Sequence, residues 1–289
     1  MSLLDRQGVF LPYLHLLGVR FGEKPRYSFD ERIAAAAHAD VTGIGFDGDE
    51  FDELLKTRTA AQLQGVLDEH GVTIGELQIH YGWHFGDQYP DYQKIARERE
   101  QHLYELAGTF GIRRVKTVIM TPTDLPGPDE LAERFAAVCD RAAEHGITVA
   151  IEPQSVHPGF GYAAAVDLVL AVNRPNSAFV VDAWHFFRDP DPWTALDRLP
   201  ASSIVGVELR DAAAEPPGDR LEDCTALNVL PGDGDFDLVR LLRTLDAKGV
   251  DTHIAAEVLS SELWPLTAAE NVERTVTAVR AVMDAARSA

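Results

Sequence analysis

Short apolar runs alternate along this chain with stretches of helical periodicity. We predict eight strands, at residues 9–16, 42–46, 72–79, 113–118, 147–151, 178–181, 203–209 and 252–258. Between the strands, apolar residues recur at the spacing of one helix face, as at Leu131, Phe135, Val138 and Ala142. The pattern therefore predicts an α/β protein.

Glycine marks the ends of several predicted helices. Gly71, Gly111, Gly146 and Gly249 each follow a helical run and precede a strand. This is the position of a left-handed C-terminal cap. A repeated unit of helix, glycine and strand predicts a parallel sheet with helical crossovers.

Eight such units fit a single (β/α)8 TIM barrel domain with a parallel eight-stranded core, covering residues 1–289. The alternative is an open doubly wound sheet. Residues 16–22, after the first strand, lack the G-x-G-x-x-G spacing of its phosphate loop. The segment 212–234 is the longest that reads as irregular, and we expect it to form a lid or a site wall.

The formal net charge of −20 argues against a nucleic-acid partner, because a phosphate backbone would be repelled. The apolar stretch 9–19 is interrupted by Pro12 and His15 and lacks a basic leader. It predicts a buried strand, with neither a signal peptide nor a membrane span. We therefore expect a cytoplasmic protein with no membrane partner, and the sequence leaves a homo-oligomer open.

Four predicted strands in the second half end in a carboxylate. These acids are Glu152, Asp182, Glu208 and Glu257. A single acid at this point can cap the next helix. Four of them at one barrel rim predict a cluster, which a cation or shared protons must neutralise. Oxygen ligands favour Mg²⁺ or Mn²⁺, and a nearby imidazole such as His185 moves the balance toward Mn²⁺ or Co²⁺.

Other strand ends bring further polar groups to the same rim. They are His15, Asp47, His80, Lys116 or Thr117, Arg210 and Asp211. Active sites of TIM barrels lie at this rim.

Several short segments together resemble the signatures of the xylose isomerase-like TIM-barrel superfamily, the sugar phosphate isomerase/epimerase group. They are A-I-E-P at 150–153, D-A-W-H at 182–185, V-E-L-R-D at 207–211, P-G-D-G-D-F-D at 231–237 and A-E at 256–257. The same superfamily contains inosose and dehydroshikimate dehydratases and endonuclease IV. The resemblance extends over nearly the whole chain.

The resemblance implies a divalent metal held by Glu152, Asp182 and Glu257. The family has a histidine as the fourth ligand, where this chain has Glu208. Four carboxylates around one divalent ion leave excess negative charge. One of them must then bind a cation such as Arg210, stay protonated, or turn away. We expect Glu208 to bind the metal.

The chemistry that the resemblance implies is proton abstraction next to a carbonyl, through an enediolate. Glu152 and Glu257 would move the proton, with His185 beside them, in an isomerase or epimerase of a sugar, keto-sugar or cyclitol. The same intermediate gives a dehydratase, a lyase, if a β-hydroxyl leaves. A barrel that binds a ligand without turnover is a third hypothesis. An endonuclease IV-like function is disfavoured, because it would need more histidine ligands and a basic surface.

We expect a small sugar or polyol substrate to be bound by polar and aromatic groups around the cluster. The candidates are His80, Gln154, Trp184, His185, Arg210 and Trp264, with His157 and Trp83 as further polyol-reading groups.

Overall fold

The computed structural model describes residues 2–6, 8–41, 43–120, 125–156 and 159–288. Eight parallel strands close into a barrel in chain order, and the last strand pairs with the first. They are β1 (Val9–Leu11), β2 (Gly43–Asp47), β3 (Thr73–His80), β4 (Arg114–Thr117), β5 (Thr148–Ile151), β6 (Ser177–Asp182), β7 (Ile204–Leu209) and β8 (Ile254–Ala256). The predicted closed barrel is confirmed.

Helices connect the strands and cover the outside of the barrel. They are α1 (Phe29–His38), α2 (Gly48–Leu55), α3 (Ala60–His70), α4 (Pro90–Phe110), α5 (Pro128–Glu144), α6 (Tyr162–Val172), α7 (Ala183–Phe187), α8 (Pro192–Arg198), α9 (Arg220–Ala226), α10 (Leu238–Ala247) and α11 (Ala268–Ser288). The apolar stripe predicted for α5 is buried against the sheet. Within the described residues, no helix is both long and apolar enough to cross a bilayer.

The glycines predicted to end helices have left-handed backbones. The φ angles are +66° at Gly71, +70° at Gly111, +66° at Gly146 and +83° at Gly249. An L-residue with a side chain adopts this region only at a cost, so glycine is favoured at these turns.

Two predicted segments differ from the structure. The first strand ends at Leu11, because Pro12 has no N–H for the ladder, and a 3-10 helix follows over Tyr13–Leu17. The segment 212–234 is not irregular throughout, since it contains α9. Asp219 begins that helix by accepting hydrogen bonds from the N–H groups of Leu221 and Glu222.

The lumen of the barrel holds an aromatic ring against charged side chains. A Cβ at Gly43 or Gly75 would lie 2.9 Å from the ring of Phe10. The guanidinium of Arg114 lies 5.4 Å from the centre of the same ring, and its Nε donates to Glu76 Oε2 at 2.8 Å. Glycine at positions 43 and 75 therefore makes room for the ring.

We predict that Gly75→Ala lowers the free energy of unfolding by about 1–3 kcal/mol, because the new methyl group overpacks Phe10. Urea unfolding measures this. Gly108→Ala is the matched control. Apart from the neighbouring residues and the backbone of α4 itself, no described atom lies within 4 Å of a Cβ at that position, so the change should raise stability by up to about 1 kcal/mol. Wild-type stability in Gly75→Ala would contradict the packing argument.

Candidate active site

Four buried carboxylates meet at the carboxyl ends of β5 to β8. Glu152, Asp182, Glu208 and Glu257 each offer an oxygen, and these oxygens lie within 4.8 Å of one another. Oxygens at this separation can contact one cation. The structure thus brings together the four residues that were predicted from the sequence as metal ligands.

The backbone ladder places these acids. Glu152 follows β5, and its N–H donates to the carbonyl of Thr117 at 3.0 Å. Glu257 follows β8, and its N–H donates to the carbonyl of Leu209 at 3.2 Å. The ladder therefore continues one residue past each strand and holds each glutamate at the rim.

Lys116 on β4 extends its ammonium group into the cluster. Its Nζ lies 2.6 Å from Glu208 Oε1, 3.4 Å from Glu152 Oε2 and 3.6 Å from Glu257 Oε1. A further carboxylate oxygen, Oε1 of Glu76, lies 3.8 Å away. Burial alone would lower the pKa of Lys116, but these carboxylates together raise it well above its ordinary value. The amine is therefore a buried cation.

Arg210, just after β7, is the second cation of the cluster. Its Nε donates to Asp182 Oδ2 at 2.6 Å, and one terminal nitrogen lies 3.3 Å from Glu257 Oε2 and 3.6 Å from Glu152 Oε1. The other terminal nitrogen donates to the carbonyl of Cys224. The guanidinium is thus held by the protein's own acceptors.

Two of the acids hold their protons more strongly than usual. Burial raises the pKa of Glu152 to about 8, with Glu257 and Asp182 adding to the effect and Lys116 opposing it. Burial also raises the pKa of Glu208 well above its ordinary value, although Lys116 opposes this. Protons can therefore neutralise part of the cluster's charge, beside Lys116 and Arg210.

His185 faces Glu152 with a defined tautomer. The backbone N–H of Ser155 donates to Nδ1 at 3.1 Å, so a neutral ring carries its proton on Nε2. Nε2 lies 3.7 Å from Glu152 Oε1. The backbone of His185 is also held, because Asp182 Oδ1 accepts its N–H at 2.8 Å and so caps the start of α7.

Trp184 is anchored inside the protein. Its ring is fully buried, and the indole N–H donates to Asp223 Oδ2 at 2.9 Å. Arg188 donates to the same oxygen at 2.8 Å. The helix α9, which carries Asp223, is thereby tied to the turn after β6. A role for Trp184 in substrate binding stays a prediction.

The remaining predicted substrate residues lie in different surroundings. His80 is buried, with Nδ1 at 3.2 Å from Thr117 Oγ1 and Nε2 at 3.7 Å from a carboxylate oxygen of Glu100 on α4. Gln154 is partly buried, two residues after Glu152. Trp264 is partly buried as well, and its carbonyl accepts a hydrogen bond from Arg26.

His157 lies outside the described residues. Trp83 is buried against Phe135 of α5, with their ring centres 5.0 Å apart. These placements leave the substrate roles of both residues as predictions.

Asp211 organises the long segment after β7. Its carboxylate accepts hydrogen bonds from the backbone N–H groups of Ala212, Gly232 and Phe236, at 2.9, 2.9 and 3.0 Å. This acid therefore belongs to the scaffold of the rim. The sequence analysis placed Asp211 at the rim among the polar groups outside the four clustered acids, but gave it no role.

A cavity of about 1030 Å³ lies at the same end of the barrel, over β1 to β4. Tyr13, Asp47, Tyr81 and Arg99 are among the residues that line it. It has room for a small molecule.

His15 is a further buried group near the cluster. Its Nδ1 donates to the carbonyl of Val258 at 3.1 Å, and its Nε2 has no hydrogen-bond partner among the described residues. Burial lowers the pKa of His15 to about 4, although Val258 and Glu257 oppose the shift. The ring is therefore neutral in the folded protein at pH 7.

We predict that His15 makes folding sensitive to acid. Between pH 6.5 and about 4 the unfolded chain binds a proton at this residue and the folded chain does not. Stability is thus lost as the pH falls, by about 1.4 kcal/mol per pH unit for one proton. His15→Asn should reduce the slope by close to that amount in urea unfolding between pH 6 and 5, and should leave it unchanged above pH 7.

The exposed His38 on α1 supplies the control for this measurement. His38→Gln leaves every buried histidine in place and should keep the wild-type slope. An unchanged slope in His15→Asn would contradict the assignment.

The sequence profile of the xylose isomerase-like TIM barrel family matches residues 33–282. Inosose isomerase from Bacillus velezensis is 25% identical over 243 residues, which are 81% of this chain and 84% of that protein. 3-Dehydroshikimate dehydratase from Pseudomonas aeruginosa is 28% identical over 166 residues, 56% of this chain and 26% of that protein.

A solved structure of the IOLI protein with a bound zinc atom has the same fold. The TM-score is 0.82 over 96% of this chain and 99% of that chain, at 19% identity. The superfamily resemblance seen in the sequence segments is thereby confirmed.

Proposed function

Because the chain belongs to the xylose isomerase-like TIM barrel family, we propose that it is a metal-dependent isomerase or epimerase of a cyclitol, sugar or keto-sugar. The observation that carries the proposal is the cluster of four buried carboxylates at the carboxyl ends of β5 to β8. The similarity to inosose isomerase over most of both chains supports a cyclitol or a related polyol.

The residues of the cluster fit a divalent cation. When all groups are ionised, four carboxylates with Lys116 and Arg210 leave two negative charges, which one divalent ion would balance. Glu208 Oε2 and Glu257 Oε1 are buried and have no hydrogen-bond partner among the described residues. Such oxygens are costly unless a cation or a proton reaches them. Glu152, Asp182, Glu208 and Glu257 would hold the ion.

We propose Mn²⁺ or Mg²⁺ as the ion, with Co²⁺ acceptable, because all four donors are carboxylates. The zinc atom of the IOLI protein belongs to a structural neighbour at 19% identity. When bound, a divalent ion supplies positive charge that polarises a substrate carbonyl and acidifies the adjacent C–H.

The protein's own groups then move the proton. One of Glu152 and Glu257 removes it from carbon, and the other returns it to the resulting enediolate. Return to the same carbon from the opposite face gives an epimer, and return to the neighbouring carbon gives an aldose–ketose isomer. The Nε2–H of His185 points toward Glu152 and can hold a substrate oxygen beside that carboxyl group.

A dehydratase is the second candidate. The match to 3-dehydroshikimate dehydratase over 56% of this chain supports it, as does the acid Glu208 in place of the histidine expected at β7. Here the same proton is removed and a β-hydroxyl leaves, so the chain again needs one basic and one acidic group. Product analysis separates the two candidates.

The expected partner is a small polyol or keto-sugar. The absence of nucleic-acid and membrane partners, the cytoplasmic location and a homo-oligomer stay predictions made from the sequence.

We predict that Glu152→Gln and Glu257→Gln each lower turnover by at least about 100-fold, because each removes a proton-transfer group. The assay is a panel of inososes, keto-sugars and keto acids in deuterium oxide, with NMR detection of deuterium at carbon. Both variants should also stop this exchange.

The control for these variants is Glu262→Gln, an exposed glutamate five residues beyond Glu257. It makes the same chemical change outside the cluster and should keep wild-type rates. Near-wild-type exchange in either cluster variant would reject the two-glutamate mechanism. A wild-type protein that binds panel compounds without any exchange or product would support the non-catalytic barrel.

We also predict that dialysis against a chelator abolishes turnover, and that Mn²⁺, Mg²⁺ or Co²⁺ restores it. The reason is that the oxygens of the four acids lie close enough together to bind one divalent ion, which the proposed proton abstraction requires. Metal analysis of the protein as purified gives the stoichiometry, expected to be near one. Full activity of a demonstrably metal-free protein would exclude the metal-dependent mechanism.

A further inference from the structure

We propose that Lys116 sets the affinity of the carboxylate cluster for a divalent ion, because its ammonium group contacts the carboxylates that would hold the ion. The inference rests on the metal site of the proposed function. It makes Lys116 a positioning residue that acts through the ligands. Its test is metal affinity, which does not require turnover.

The contacts of the ammonium group carry the proposal. Three of the four acids have an oxygen within 3.6 Å of Nζ, and the nearest, Glu208 Oε1, lies at hydrogen-bond distance. The Lys116 side chain is 1% exposed, so water does not screen these charges. A divalent ion at the same carboxylates would therefore meet a fixed positive charge.

Small residues on the neighbouring strands leave room for the Lys116 side chain to extend across the lumen to Glu208. Lys116 pairs with Ala150 on β5, and Glu208 pairs with Ala255 on β8. Ala150 and Ala255 lie two residues before Glu152 and Glu257, so by strand alternation they face the same lumen. Methyl groups there leave space that the long lysine side chain fills.

Lys116 and Glu208 are also coupled to each other. Both are buried, and the contact of 2.6 Å is the shortest that Lys116 makes to any of these acids. Removing one partner of a buried ion pair leaves the other charge uncompensated. A change at either position should therefore alter metal binding through the net charge of the cluster.

Four proteins separate the effect of charge from the loss of a ligand. The wild type has two net negative charges in the cluster, with all groups ionised. Lys116→Met has three, Glu208→Gln has one, and the double variant returns to two. The expected order of Mn²⁺ affinity is Lys116→Met first, then the wild type, then the double variant, which has the wild-type charge but lacks the Glu208 ligand, and then Glu208→Gln.

The experiment is isothermal titration of chelator-treated protein with Mn²⁺. Lys116→Met should bind at least about tenfold more tightly than the wild type, because a buried like charge is removed. Arg114→Met is the matched control. It removes a cation two residues earlier on β4 that contacts Glu76 and none of the four ligands among the described contacts, and it should change affinity much less.

If Lys116→Met alone does not fold, the double variant Lys116→Met/Glu208→Gln still tests the proposal. It removes both charges of the pair, and its affinity is compared with that of Glu208→Gln. A gain of about tenfold or more supports the proposal. Equal or weaker binding on removal of Lys116, in either background, overturns it, as does the absence of Mn²⁺ binding in every protein.

Thermal unfolding gives a second readout. Mn²⁺ should raise the Tm of Lys116→Met by more than it raises the Tm of the wild type, because tighter binding stabilises the folded state more. An equal shift would count against the proposal. A protein that binds Mn²⁺ in this order and yet converts no polyol would contradict the proposed function alone.

Discussion

The structure depends on keeping charge balanced inside a barrel that excludes water. An ionised carboxylate in such a place is very costly unless a cation, a proton or a set of hydrogen bonds compensates it. Among the described residues, five buried acids lie against the cations of the lumen and the cluster: Glu76, Glu152, Asp182, Glu208 and Glu257. Three cations face them, namely Arg114, Lys116 and Arg210. With all these groups ionised, the acids outnumber the cations by two charges, and the excess negative charge at the rim favours binding of a further cation.

The need to accommodate these charges also explains the small residues that line the lumen. Glycine at positions 43 and 75 admits the Phe10 ring over which Arg114 lies. Alanine at positions 150 and 255 leaves space for a lysine to extend. A lumen filled by large branched side chains, the usual packing of such barrels, would have no room for these charges.

The barrel and the four acids could be predicted from the sequence, because both follow from local patterns. Strand and helix periods show the alternation, and parallel strands end at one rim. An acid directly after a strand can therefore be placed at the carboxyl-end rim of the barrel from the sequence alone. The four acids of β5 to β8 converge for this reason.

The sequence could not show how far side chains reach across the lumen. Lys116 was one of several polar groups at strand ends, and nothing near it in sequence indicates that it contacts Glu208, three strands away. Trp184 sits in a signature segment, yet its ring is held by Asp223 from a segment that read as irregular. Such contacts depend on side-chain length and on packing between distant segments.

The Lys116–Glu208 contact has a consequence for how this protein can change through evolution. Each residue compensates a charge that the other would leave buried, so the effect of a mutation at one position depends on the residue at the other. An evolutionary path that replaces the two residues one at a time must therefore pass through an intermediate in which the remaining buried charge has lost this partner. Natural variants should therefore covary at positions 116 and 208, although the two lie 92 residues apart in sequence.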